Sequence, residues 1–341
     1  MSELSVRGLT ATLGGFTLGP VDLTVPAGTA LAVLGPSGAG KTTLLRAIAG
    51  FVPARAGQLT VGGAAVDGRP PEERRMGYVP QGLALFPHRS VAGNVAYPLE
   101  IRGAPDAAAR TRTLLADWGL SELARAAALS VSGGEQQRTA MARALAADPR
   151  VLLWDEPLAA VDAVARRALV GSIRRVLHRE GVSLLLVTHD AETAFAVADR
   201  FLVLEAGRAA APVSPASIVD RPPSRFAAEF VGYDTVFSVG DLAGHPEGSL
   251  ASWLLARCGP GGIGIPAEAA RPAEGGGWSG RIASGRERPG GREVVVDVDG
   301  LELRLFERRP PGAWEGPRGT GVRFALDEGA LRPIGAGEGP A

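Results

Sequence analysis

The sequence predicts two parts, an α/β domain with a helical insert followed by a small all-β domain. Three observations carry this reading. Short apolar runs at 29–34, 151–154 and 184–186 each lead into a polar, chemistry-bearing segment. Alanine-rich stretches of helical spacing separate them. Beyond about residue 230, glycine and proline clusters such as Gly259-Pro260-Gly261-Gly262 and Gly275-Gly276-Gly277 cut the chain into short strands.

Composition sets the limits. The chain has 341 residues, 45% of them apolar, which is enough for a real core and argues against disorder. Its formal net charge is zero, so no global field invites nucleic acid or anionic lipid. Cys258 is the only cysteine, which excludes an intrachain disulfide and fits a reducing compartment. Residues 1–8 carry Glu3 and Arg7 and no apolar h-region, so no secretory signal is expected. No apolar run is long enough to span a bilayer.

The run 29–34 is a buried strand, and Gly35-Pro36-Ser37-Gly38-Ala39-Gly40-Lys41-Thr42-Thr43 follows it. Leu44 to Ala49 then has helical spacing and closes on Gly50. G-x-x-x-x-G-K-T between a strand and a helix is a P-loop in its proper context. Its N–H groups point inward, and the helix N-terminus adds positive potential for phosphates. Lys41 is expected at the β/γ-phosphates and Thr42 on Mg²⁺. Of the 36 basic residues Lys41 is the only lysine. A compact ammonium enters such a cradle where a planar guanidinium does not.

The strand Val151-Leu152-Leu153-Trp154 ends in Asp155-Glu156. Asp155 suits the Mg²⁺-holding aspartate of a P-loop site, and Glu156 is placed to polarise the attacking water. Upstream, Val131-Ser132-Gly133-Gly134-Glu135 opens a helical stretch and forms a second helix N-terminus able to receive phosphate oxygens. One ATP needs only one P-loop, so a second such start suggests a shared site.

Here the chain resembles the ABC ATPase family, whose signature is L-S-G-G-Q. The resemblance covers residues 4 to about 230. It implies a head-to-tail pair of ATPase subunits, each ATP lying between one P-loop and the partner's Ser132 to Glu135 motif. It further implies that Gln81, in Tyr78-Val79-Pro80-Gln81, is the Q-loop glutamine touching Mg²⁺ and water. By the same likeness His189 is the switch histidine at the γ-phosphate, and Asp162 holds the D-loop place. Phe16 is expected to stack on adenine, since only a ring offers a π-face to a base; Leu13 is the rival for that place. Three departures stand out: Val131 for leucine, Glu135 for glutamine, and Ala159 where a D-loop serine is usual.

The segment from Asp106 to Ala128 is expected to be helical, with Leu114, Leu115, Trp118 and Leu123 on one side. The family resemblance implies that Leu85 and Phe86 form an exposed patch for a membrane subunit; the residues themselves fit ordinary core equally well. In the last third, Val294 to Leu305 reads as a hairpin around Asp299-Gly300. Val298 should face Leu301, Val296 face Leu303 and Val294 face Leu305, with all six on one face. Such a C-terminal β-domain, after the join Phe230-Val231-Gly232-Tyr233, resembles the importer branch with an OB-like, TOBE-type barrel, closed or barrel-like. Ile265-Pro266-Ala267-Glu268 stands where that domain carries I-R-P-E, and a dimerising or regulatory role is preferred to a ligand site.

The expected domains are thus 1–232, with a helical subdomain at about 83–148, and 233–341. The implied function is an ATP- and Mg²⁺-dependent subunit that energises solute import at the cytoplasmic face of the membrane. Its implied partners are a second copy, two permease subunits and, indirectly, an extracytoplasmic solute-binding protein; the membrane is met only through the permease. The motifs look most like molybdate or tungstate importers, with ferric iron, polyamine, thiamine and phosphonate importers close by. A soluble ABC ATPase of translation or DNA repair is the other class, disfavoured by the single P-loop, the lack of sustained heptads and the lack of a basic tail.

Overall fold

Residues 3–156, 163–273, 277–288, 291–308 and 317–335 are described by the computed structural model. The chain divides into two compact units, Met1–Pro215 and Ala216–Ala341. The first runs β1 (Leu4–Leu13), β2 (Phe16–Val25), β3 (Ala30–Leu34), α1 (Lys41–Ala49), β4 (Gln58–Val61), β5 (Ala64–Ala65), β6 (Met76–Val79), α2 (Val91–Ile101), α3 (Ala107–Asp117) and α4 (Gly133–Ala146). It continues with β7 (Val151–Asp155), α5 (Ala163–Glu180), β8 (Ser183–Val187), α6 (Ala191–Val197), β9 (Arg200–Glu205) and β10 (Arg208–Ala209).

Strands β3, β7 and β8 are buried at every position. Continuous apolar runs of that kind are what a parallel sheet covered on both faces requires. They form the middle of a six-stranded sheet of order β10-β9-β3-β8-β7-β6, parallel except for β10. The register aligns the carboxyl ends: Val33 pairs with Val187, Val187 with Asp155, and Trp154 with Val79. The loops after β3, β6, β7 and β8 therefore leave one edge of the sheet together, where open α/β sheets bind ligands.

A second, antiparallel sheet has the order β2-β1-β4-β5. Leu44, Leu45 and Ile48 of α1 share one buried cluster with Leu4, Val6 and Leu9 of β1 and with Val33, Leu153 and Leu185 of the parallel sheet. The P-loop helix is thereby held by both sheets. The expected helix from Asp106 to Ala128 is broken. It ends at Asp117, Gly119 takes φ 63°, and a 3₁₀ turn covers Ser121–Leu123. Leu114, Leu115 and Trp118 are buried as expected, while Leu123 sits on the separate turn.

The second unit contains α7 (Pro215–Asp220, entering it at Ala216), α8 (Arg225–Phe230), β11 (Thr235–Phe237), α9 (Val239–Leu242), α10 (Leu250–Leu255), β12 (Gly262–Ile265) and β13 (Ala270–Pro272). It ends with β14 (Trp278–Arg288), β15 (Gly291–Val298), β16 (Leu301–Arg308), β17 (Gly321–Leu326) and β18 (Arg332–Ile334). Two antiparallel sheets result, β11-β12-β18 and β13-β17-β14-β15-β16. The hairpin pairs Val298 with Leu301, Val296 with Leu303 and Val294 with Leu305, and all six are buried. Asp299 (φ 52°) and Gly300 (φ 88°) give the two left-handed residues of a type I′ turn. The edge strands β13 and β16 approach each other without pairing, so the five-stranded sheet curls like a barrel wall.

The unit boundary falls after Pro215, whereas the composition shift places it at 232. Packing explains the difference. Tyr233 Oη donates to Val219 O at 2.8 Å, Gly335 N donates to Pro222 O at 2.9 Å, and Ala228, Tyr233, Val236 and Ile334 form one apolar cluster. Both short helices ahead of the join thus belong with the β-rich unit.

Candidate functional site

The loop from Gly35 to Thr43 leaves β3 and enters α1. Gly40 precedes the helix with φ 101°, and a Cβ there would meet the Phe16 ring 2.8 Å away. Only glycine permits that backbone and that approach. Lys41 Nζ donates to the carbonyls of Gly35 (2.7 Å) and Pro36 (2.9 Å), which holds the ammonium over the loop. Burial lowers its pKa, while the carboxylates of Glu156 and Asp155 pull the other way. Ala39 is buried, and Ser37 and Gly38 are exposed. A cavity of about 470 Å³ is lined by Leu13, Phe16, Ser37, Gly38, Lys41 and Glu156, among others. Phe16 packs against the core and is half-buried, whereas Leu13 is 52% exposed.

Thr42 Oγ1 donates to Asp155 Oδ1 at 3.1 Å. Asp155 is buried, and that burial raises its carboxyl pKa; the Thr42 hydrogen bond opposes the shift and the Glu156 charge adds to it. A hydroxyl and a carboxylate side by side are hard oxygen donors and fit Mg²⁺. Among the described residues no group of three or more His, Cys, Asp or Glu is arranged to hold a metal ion by itself.

Glu156 sits just past β7 in a left-handed backbone conformation (φ 49°), its N–H bonded to Val187 O at 2.9 Å. Gln81 Nε2 donates to Glu156 Oε2 at 2.8 Å. His189 Nδ1 lies 3.2 Å from Glu156 Oε1, with its side chain 63% exposed. Gln81, Glu156 and His189, widely separated in sequence, thus meet at one carboxylate.

The signature segment is elsewhere on the chain. Ser132 caps α4 and Glu135 completes a capping box: Ser132 N donates to Glu135 Oε2 at 2.8 Å, and Glu135 N donates to Ser132 Oγ at 3.4 Å. The Ser132 N–H holds the Glu135 carboxyl below its ordinary pKa. Glutamate and glutamine both serve the third position of such a box, so the departure at Glu135 keeps the helix start intact. Ser132, Gly133, Gly134 and Glu135 are not among the residues lining the P-loop cavity. Asp162 and Ala159 lie outside the described residues.

Sequence reasoning missed two neighbours of the site. The Tyr78 hydroxyl is buried near Asp155 and Arg46 without a hydrogen bond of good geometry, and burial raises its pKa. Arg143 of α4 donates to Ala84 O (2.6 Å) and Leu83 O (2.7 Å) in the Gln81 loop. Its signal was present: a charge inside Met141-Ala142-Arg143-Ala144-Leu145 needs a partner. Phe86 proves half-buried, its ring tilted against Tyr97 with centroids 4.4 Å apart, and its backbone is hydrogen-bonded to the buried Asn94.

Comparison with known proteins decides the family. A family model described as "ABC transporter" matches residues 18–159. The Fe(3+) ions import ATP-binding protein of Streptomyces avermitilis is 45% identical over 253 residues, covering 72% of this chain and 73% of that protein. The chain belongs to the ABC transporter ATP-binding family. It is an ATP-hydrolysing subunit that works with ATP and Mg²⁺. Spermidine/putrescine import ATP-binding protein PotA 1 of Pseudomonas aeruginosa is 37% identical across 97% of this chain and 94% of its own. A putative 2-aminoethylphosphonate import ATP-binding protein of Salmonella typhimurium is 43% identical over 66% of this chain and 62% of its own. Among the described residues no helix is long and apolar enough to cross a membrane.

Proposed function

We propose that this subunit energises solute import, and that Glu156 is the residue on which its ATP hydrolysis turns. The carrying observation is the Glu156 carboxylate beside the P-loop cavity with Gln81 and His189 on its two oxygens. The loop Gly35 to Thr43 binds the phosphates through its N–H groups, and Lys41 exchanges the Gly35 and Pro36 carbonyls for β/γ-phosphate oxygens. Thr42 and Asp155, with Gln81, would hold Mg²⁺, which would neutralise charge on the phosphates. Phe16 supplies the adenine face, in preference to the more exposed Leu13. Glu156 accepts the proton of the attacking water as the bond from the γ-phosphorus to the bridging oxygen breaks, giving ADP and phosphate. Gln81 and His189 orient that carboxylate and the water.

Ser132 to Glu135 lie outside the cavity, which supports their service to a second copy's ATP; the D-loop role of Asp162 rests on family likeness alone. The assembly is then a homodimer on two permease subunits at the cytoplasmic face, fed by a solute-binding protein. The importer reading rests on relatives named for ferric iron, 2-aminoethylphosphonate and polyamine import. Those three solutes are the first cargo to test. Molybdate or tungstate rests on motif likeness alone.

The test is Glu156→Gln. The variant should bind MgATP with parental affinity, lose at least ~100-fold in turnover, as for other displaced general bases, and accumulate as an ATP-dependent dimer. Hydrolysis at the parent rate would remove Glu156 from the mechanism.

A further inference from the structure

Leu83 and Ala84 follow Gln81 closely, and both are non-glycine residues in the left-handed region, with φ of 58° and 48°. Such a conformation costs an L-residue energy and persists only where the surroundings impose it. Local bonds contribute: Leu83 N donates to Pro80 O at 2.9 Å and Ala84 N to Gly82 O at 2.6 Å. The long-range hold is Arg143. One guanidinium nitrogen donates to Ala84 O at 2.6 Å and the other to Leu83 O at 2.7 Å. The same group lies over the Phe86 ring at 5.2 Å, and burial lowers its pKa. Among the described residues no carboxylate is paired with it, so its charge is spent on the two carbonyls and one ring.

We infer that Arg143 is a positioning residue: its planar fork fixes the Leu83–Ala84 backbone so that Gln81 meets Glu156, and it ties the helix begun at Ser132 to the hydrolytic carboxylate. Arg143 lies in α4, the continuous helix that Ser132 caps, about 16 Å along its axis from that cap at 1.5 Å per residue. A displacement of α4 at its Ser132 end is carried rigidly to the carbonyls of the Gln81 loop. Engagement of a nucleotide at Ser132 and alignment of Gln81 on Glu156 thereby become one event. Arg143 touches no reacting atom. Its effect runs through Gln81, and the inference rests on the roles proposed above for Gln81 and Glu156.

Steady-state ATP hydrolysis by the full chain tests this, with thermal melts alongside. Arg143→Met keeps the stem and removes the fork. It should lower kcat by roughly tenfold or more while KM for MgATP moves less than about twofold, because unheld left-handed conformers of L-residues are a small minority. Adding Ala84→Gly to that variant should recover much of the loss, since glycine takes a positive φ without strain. A merely structural role would lower the melting temperature and gain nothing from the glycine. Arg143→Lys, which keeps charge without the planar fork, should fall between parent and methionine variant and stands in if the latter does not fold. Gln81→Ala and Glu156→Gln run beside them. If both lose turnover while Arg143→Met and Arg143→Lys keep it, the inference is wrong and the site assignment stands. If Gln81→Ala keeps turnover, the assignment fails and takes the inference with it. A glycine that restores nothing overturns the backbone hold.

Discussion

Arg74 is 8% exposed, and its guanidinium closes the C-terminal end of the P-loop helix. It donates to Ile48 O (2.7 Å), Ala47 O (3.2 Å) and Arg69 O (2.8 Å). Ala47 O also receives Gly50 N at 3.1 Å. Ile48 O does not have its next helical donor, because Val52 N is turned to Arg46 O at 3.3 Å. Arg74→Met therefore strands the carbonyls of Ile48 and Arg69 and removes a cation from the negative end of the helix dipole. Each charge-assisted bond is worth about 1.5–3 kcal/mol, and relief of guanidinium desolvation offsets part of that. The net loss works out at about 3 kcal/mol. For a unit of this size, ~3 kcal/mol corresponds to about 6–12 °C in Tm. The measurement is the thermal transition of the full chain by far-UV circular dichroism, with and without saturating MgATP. Nucleotide should restore part of the loss, since ligand binding to the folded state adds stability. A drop of less than about 2 °C would refute the reasoning, because the helix end would then be satisfied without Arg74.

Two further outcomes follow from the same geometry. Lys41→Arg keeps the charge but widens the group that must fit over Gly35 O and Pro36 O, so MgATP affinity should fall at least ~10-fold; unchanged binding in a fluorescent-nucleotide titration sinks the argument from the solitary lysine. Burial raises the Asp155 pKa, so the folded chain binds that proton more tightly than the unfolded one and ionisation costs stability above the folded pKa. The cost fades as pH falls through that pKa. Asp155→Asn should therefore melt higher than the parent at pH 7, approach it in acid, and lose Mg²⁺-dependent hydrolysis; a lower melting point at pH 7 would reverse the sign.

The site was legible where local pattern and chemistry coincide. The P-loop, the strand ending in Asp155 and the six-residue hairpin face all depend on neighbours in sequence, and the structure places them as read. Family likeness put Gln81 and His189 beside the nucleotide, but their meeting at the Glu156 carboxylate emerges only from the structure, since the spacing of three polar residues on three loops does not encode a shared carboxylate. What stayed hidden depends on tertiary partners. The helix from Asp106 onward was overextended because an alanine-rich pattern outweighed Gly119, whose left-handed backbone ends it. The compact units divide after Pro215 rather than at the composition shift because Tyr233 and the two preceding short helices pack with β-strands remote in sequence. Arg143 and Arg74 looked like ordinary members of an arginine-rich chain. Only their carbonyl partners distinguish them.

Glu156 and its partner Gln81 are held with unequal stiffness. Seven non-glycine residues among those described have positive φ, and three of them, Leu83, Ala84 and Glu156, lie in the two loops that meet here. Each costs about 1–3 kcal/mol, so each needs an external support. Glu156 has the sheet itself: it follows β7 directly, and its N–H is tied to Val187 at the end of the fully buried β8. Among the described residues the Leu83–Ala84 turn has its two local backbone bonds and no strand ladder, and its long-range support is one side chain from α4. Release of Glu156 requires opening the parallel sheet, whereas release of Gln81 requires only that α4 move relative to β6. If Glu156 and Gln81 have the roles proposed above, control of hydrolysis is cheapest on the Gln81 side, with the carboxylate kept in place and its glutamine partner made conditional on the position of the Ser132 helix.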